Sequence, residues 1–421
     1  MPAPLRILLP LAALLFLCAL SSAATPADAA DKPGIHDPRI GYHTATPRDP
    51  FSLLLQQLRA GQRQLRTDSE QDLLESLLET LRIPASSQML VFSATSFQTG
   101  LISVRNPRAL YFNEDTYVGY VPGGRLEIVS VDPQIGSVFH LLDRWAPGQI
   151  PRSERSERCM NCHAPRKTGA IPLLLVESMI PSPTGGGEKS YRGEVDGHSI
   201  PHPDRMGGWV VTGAPQDYPH QGNAIIKTAD RTSQRIPVEP GSLFDWNHYP
   251  VRTSDVLAHL LHEHQVGFIN RCTSAAYKAR TLGTQTPGPE TQRLAADLVR
   301  YLLFTDEAPL PQGGVPGDPS FKAAFLSSRR PTKDGASLKD LDLQTHLLRH
   351  RCSYMIYSQS FTGLPRPLKQ TVYILLDRAL REPGRDSAHL PLAERAAIRT
   401  ILRETVTDLP QGWGTAPMAA R

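Results

Sequence analysis

A chain of 421 residues, 40% hydrophobic and 20% charged, has room for two or three domains and is neither a disordered nor a fibrous protein. Its 45 basic and 41 acidic residues leave a net charge of +4, without the basic excess that marks nucleic-acid binding. With 38 prolines against 31 glycines, much of the chain must be loops and short elements.

Residues 1–24 read as a signal peptide. Arg6 supplies a positive start, Ile7 to Leu20 is an apolar run broken only by Pro10, and Ser21-Ser22-Ala23-Ala24 offers small residues for cleavage. The run is short for a bilayer span, which needs ~20 residues, and no other stretch is apolar enough. Cys18 lies near its end, but Phe16 and Leu17 precede it where a lipoprotein would have small residues. The expectation is a periplasmic or otherwise exported protein with no stable membrane span after signal removal.

Residues 25–50, rich in Ala, Pro and Asp at their start, read as a flexible tether. An α/β region is expected over 51–252. It opens with two helices marked by Phe51, Leu54, Leu55 and Leu58, then Leu73, Leu74, Leu77, Leu78 and Leu81, with Asp68 or Ser69 capping the second. Short runs rich in β-branched and aromatic residues follow at 89–92, 110–112, 117–121, 126–131 and 138–142, separated by turn signals such as Pro122-Gly123-Gly124. They predict about five antiparallel strands, with further strands at 171–176 and 209–212. From 253 to 421 the pattern is helical: Thr253 or Ser254 to Leu282, then 289–304, 341–358, 368–381 and 392–406. The fold class is α+β, an antiparallel sheet followed by a mainly helical C-terminal region packed on it.

Cys159-Met160-Asn161-Cys162-His163 carries the chemistry. Two thiols one helical turn apart can add to the two vinyl groups of haem, and the adjacent histidine then meets the iron as proximal ligand. At this chain's composition such a match is expected by chance about 0.002 times. A thioredoxin-like Cys-x-x-Cys would follow a strand in a βαβ unit, and a zinc site would need a second paired set of cysteines; neither context is present. The motif occurs once, so one covalent haem c, with its iron, is expected.

The distal ligand stays open between His198, in a flexible Asp196-Gly197-His198 loop, and His220, before a Gln221-Gly222-Asn223 turn. Met179, Met206, His202, His264 or an open site are the alternatives, although Met179 reads as core and His202, between prolines, as exposed. His259, His262, Glu263 and His264 crowd one helix without a His-Glu-x-x-His pattern; a solvated face with one His259–Glu263 hydrogen bond is the simplest expectation. Cys272 and Cys352 form an even pair in an oxidising compartment, so a disulfide between them is a hypothesis.

Several blocks are similar to those of a family of exported, single-haem bacterial proteins carrying a cytochrome c domain. They are residues 106–112 with Tyr117-Val118-Gly119-Tyr120-Val121, Cys159 to His163, Gly207-Gly208-Trp209-Val210-Val211-Thr212-Gly213, His220 with Gly222-Asn223, Glu263-His264-Gln265, and Arg351 to Ser358. The resemblance runs from about Gln88 to Leu402 and implies haem and export without a defined activity. Pro215, Met206 and Gln221 depart from the pattern. Gln221 stands where the family has a methionine, which removes one possible ligand. The expected function is electron transfer to a redox partner protein. The alternatives are a haem enzyme such as a peroxidase, with Arg205, Glu263 or His264 as distal acid and base, and a haem-based sensor or assembly subunit.

Overall fold

The computed structural model describes residues 34–418, apart from 148, 150, 191–195, 231, 283–287 and 383. The expected signal peptide lies outside the described residues, as does the start of the expected tether. The rest of that tether is packed. Ile35, Ile40 and Tyr42 are buried, the Ile35 amide donates to the Ala170 carbonyl, and the Tyr42 hydroxyl donates to the Ser137 carbonyl. Three apolar anchors scattered among polar residues fall below what a periodicity reading detects.

Asp49 caps helix α1 (Pro50–Arg59), accepting from the Ser52 amide, and Ser69 caps α2 (Glu70–Thr80), accepting from the Asp72 amide. Leu54, Leu73, Leu74, Leu77 and Leu78 are buried against Tyr111, Val118 and Ile128 of the sheet. Each such leucine contributes about 1.5–3 kcal/mol relative to exposure.

The sheet has six antiparallel strands in sequence order: β1 (Met89–Val91), β2 (Arg108–Phe112), β3 (Thr116–Tyr120), β4 (Leu126–Asp132), β5 (Gly136–Leu142) and β6 (Ser153–Arg155). Five coincide with the predicted runs. The sixth is a polar edge strand with no apolar face to announce it. The chain then enters helix α3 (Met160–His163). Two hairpins follow, β7 (Met179–Pro181) with β8 (Gly187–Ser190), and β9 (Ala224–Ala229) with β10 (Thr232–Pro237). The predicted strands at 171–176 and 209–212 are extended segments outside any named strand.

The remaining helices are α4 (Val256–Leu282), α5 (Pro289–Leu302), α6 (Pro319–Ser327), α7 (Gln359–Thr362), α8 (Arg366–Arg381) and α9 (Leu392–Thr405). The expected helix at 341–358 is absent. There the Asp342 carboxylate accepts from the Gln344, Thr345 and His346 amides, Leu343 takes a positive φ, and only a 3₁₀ turn at Tyr354–Tyr357 forms. The fold is therefore α+β. One core joins Phe112, Tyr117 and Phe139 of the sheet to Leu257, Phe268, Leu298, Leu376 and Ile401 of the helices, so the two expected regions form a single compact unit.

Candidate functional site

Strand β6 places the cysteine motif. It pairs with β5, and the Ser156 amide then donates to the Phe139 carbonyl, so the chain turns into a 3₁₀ turn (Glu157–Cys159) that runs directly into α3. Cys159 and Cys162 stand one helical turn apart as free thiols, Cys162 exposed and Cys159 half-buried. Burial raises the Cys159 thiol above its ordinary value.

The His163 imidazole is fixed from two sides. The Phe139 ring lies on it with centroids 4.4 Å apart, and Nδ1 lies 2.8 Å from the Leu173 carbonyl oxygen. A carbonyl only accepts, so Nδ1 carries the proton. Burial lowers the imidazole below its usual range, with the Arg108 guanidinium pushing the same way, so the ring is neutral at neutral pH. The lone pair therefore sits on Nε2. A metal-binding histidine needs this arrangement: one nitrogen held by a carbonyl, the other presented as a ligand. The carbonyl comes from the segment read as a strand at 171–176. Its backbone bonds go elsewhere: the Leu173 amide to the His163 carbonyl, and the Leu174 amide and carbonyl to the Asn270 side chain on α4.

The two distal candidates lie apart from this arrangement. His198 is buried in the helical core, its ring between Tyr301 and Phe304 with centroids at 4.1 and 4.6 Å and its Nδ1 2.9 Å from Nδ1 of His264. His220 accepts the Gly222 amide on Nδ1 at 3.0 Å, so its neutral ring carries the proton on Nε2, the nitrogen a metal would need. No described contact joins either residue to His163. Among the alternatives, Met206 is buried in the core and Met179 sits in β7. His202, expected at the surface, is buried. Its Nε2 donates weakly to the Ala308 carbonyl at 3.3 Å, and its Nδ1 accepts from the Tyr218 hydroxyl at 2.5 Å.

The histidine-rich helix is not a solvated face. Residues 256–269 of α4 are buried throughout. His259 donates to the Val210 carbonyl at 3.1 Å rather than pairing with Glu263, which instead takes the buried Arg205 guanidinium. His264 Nε2 lies 2.7 Å from the Ser353 hydroxyl, and the Gln265 amide donates to the Tyr354 hydroxyl at 3.0 Å. Cys272 and Cys352 are both buried free thiols, so the hypothesised disulfide is not formed.

A cleft of about 760 Å³ is lined by Leu173 together with Lys167, Leu175, Arg271, Tyr301 and Asp306 among others. Among the described residues no group of three or more His, Cys, Asp or Glu side chains could hold a metal ion, and no helix is long and apolar enough to cross a membrane. No protein-family model, curated protein or solved structure matches the chain.

Proposed function

We propose that this chain is an exported, mono-haem c-type cytochrome that passes electrons to a redox partner protein. The observation that carries the reading is His163. Its Nδ1 proton is committed to the Leu173 carbonyl, which leaves Nε2 as the donor, one residue beyond two free thiols spaced for thioether bonds. Cys159 and Cys162 would hold the haem and His163 its iron. The bound group would supply a one-electron ferric/ferrous couple. The chain's own part is to orient the imidazole through Leu173 and Phe139 and to keep Cys162 and its surroundings at the surface, where a partner can approach. The apolar run after Arg6 supports export.

A second reading, a haem oxidoreductase, draws on the 760 Å³ cleft that Leu173 helps to line. Protein produced in a host with c-haem maturation machinery tests both. A mass increase of one haem and a c-type pyridine haemochrome, both lost in the Cys159→Ala/Cys162→Ala variant, are expected. Absence of covalent haem in the wild-type protein would overturn the proposal. A ferric spectrum unaffected by cyanide favours electron transfer; a cyanide-dependent shift favours the enzyme.

A further inference from the structure

One face of the sheet is left partly uncovered beside His163. On that face Leu110, Gly119, Glu127 and Leu141 lie side by side across β2, β3, β4 and β5, and Phe112, Tyr117, Val129 and Phe139 form the next row. Phe112, Tyr117 and Phe139 are buried beneath the helical core and Gly119 and Leu141 are buried as well, whereas Leu110, Val129, Arg108 and Glu127 are only half-buried and form the open part of this face. The centre of a six-stranded sheet is a costly place for an open apolar face, because strands there are ordinarily covered on both sides or alternate to polar residues.

Gly119 stands in the middle of this patch, and nothing in the chain demands a glycine there. Its φ is not in the left-handed region. A Cβ added to it would meet Glu127 Cβ, Glu127 Oε2 and Leu110 Cδ2, each at 3.4 Å, the edge of ordinary contact. A glycine inside a strand that neither conformation nor packing explains marks a place where another group comes close to the backbone.

The patch adjoins the cysteine motif. Val129 is the cross-strand partner of Phe139, the residue packed on His163, so Gly119 lies about two strand spacings, roughly 10 Å, from that ring's strand. The charges of Arg108 and Glu127 both reach the His163 imidazole, and that of Glu127 reaches Cys159. Arg108 and Glu127 pair at 2.7 Å. Around the rim, Gln98 donates to Glu127 at 3.1 Å, and the Arg158 guanidinium lies 4.7 Å over the exposed Phe97 ring. The loop carrying Phe97 and Gln98 thus links the motif to the patch.

We infer that the haem held by Cys159 and Cys162 lies against this sheet face, with Leu110 and Val129 as its floor above Gly119 and the Arg108–Glu127 pair as positioning residues at its edge. The inference rests on the proposed covalent haem. Glycine at 119 lets the Leu110 and Glu127 side chains lie low over the strand, so a flat macrocycle can rest on them where a branched side chain would lift them. The Glu127 carboxylate favours the ferric state and the Arg108 guanidinium opposes it, so their removal moves the midpoint potential in opposite directions.

The test compares wild type, Gly119→Leu, Arg108→Gln and Glu127→Gln, each matured with haem c. The readouts are haem occupancy by intact mass, ferric spectrum, midpoint potential and far-UV circular dichroism. Gly119→Leu is expected to lose most of its covalent haem, or to keep it with a shifted ferric spectrum, on a folded chain. Glu127→Gln should raise the potential and Arg108→Gln lower it. The two charge variants decide the matter if Gly119→Leu does not fold. Wild-type occupancy and spectrum in Gly119→Leu, or unchanged potentials in both charge variants, would overturn the inference while leaving the cytochrome reading intact. A wild-type protein without covalent haem would overturn both.

Discussion

His163 and His198 both sit on short helical turns within loops, and their fates are opposite. His163 gives one nitrogen to a backbone carbonyl and keeps the other as a donor beside the exposed Cys162 and half-buried Cys159 thiols. His198 has aromatic rings on both faces and is bonded to His264, which is bonded in turn to Ser353. The flanking residues do not separate the two: Gly197 beside His198 looks at least as mobile as Asn161 near His163. What separates them is where the partner of Nδ1 comes from. Leu173 is ten residues away along the chain, whereas His264 lies on a helix that packs from the other half of the molecule. A backbone carbonyl close along the chain holds His163 Nδ1 and keeps Nε2 as a donor, the state that the proposed iron ligation requires.

The buried side of this contrast should break most sharply at Arg205. Arg205→Met leaves the Glu263 carboxylate in the core without its main counter-charge and should cost about 3–5 kcal/mol, read from the denaturation midpoint. A loss below ~1 kcal/mol would show that the pair is not buried as described. His264→Ala comes next, at about 3 kcal/mol, because it removes a ring packed on Phe304 and the partner of both His198 and Ser353. His163→Ala should cost the fold far less, ~1 kcal/mol or under, while removing the proposed iron ligand; equal costs for the two would erase the comparison.

Acid provides a subtler probe. Burial pulls His259, His262 and His264 down to about 3 and His202 to about 4, and lowers His198 as well. Between those values and the ordinary 6.5 the unfolded chain binds more protons than the folded one. Stability from these groups is therefore full above about pH 6.5 and is lost as pH falls toward 3 to 4. Burial raises Asp115 and Glu307 to about 7, which acts the other way and costs stability as pH rises from about 4 to 7. Five histidines outweigh two carboxyls, so urea stability should fall from pH 7 to about pH 5; a flat or rising profile would contradict the burial of the cluster. Within the buried cluster Ser353→Ala is the mildest change, about 1 kcal/mol, since it removes only the hydroxyl that pairs with His264 and caps the Tyr354–Tyr357 turn.

Much of this is legible in the chain itself, and the failures have causes. Alternation and turn residues mark β1 to β5 because each buries at least one face. Ser153-Glu154-Arg155 carries no such mark and joins the sheet through backbone pairing and polar side-chain contacts, Glu154 with Arg125 and Arg155 with Tyr42. The apolar spacing of Leu341, Leu343, Leu347 and Leu348 suggests a helix, but Asp342 takes the amides that a helix would use. Asp318-Pro319, a cap followed by proline at the first turn, signals helix α6, but its short apolar pattern lacks a clear period. At the site, the cysteines and His163 are evident from spacing. Leu173, Phe139 and the Arg108–Glu127 pair are not, because they reach His163 only through the loop after α3 and the sheet register. Gly119 is visible as an unexplained glycine inside a strand pattern.

The order of the strands bears on how the motif comes to rest. Each strand of the sheet pairs with its neighbour in sequence, so β1 to β5 are linked by local pairing alone and precede the cysteines in synthesis. Strand β6 adds only three residues at the edge, His140 facing Arg155, Leu141 facing Glu154 and Leu142 facing Ser153. An edge of that length is where a sheet opens most readily, because a segment comes away more easily the less apolar surface it buries. The segment bearing Cys159 and Cys162 thus follows the least apolar strand of the sheet, and the other five strands pair with one another independently of it.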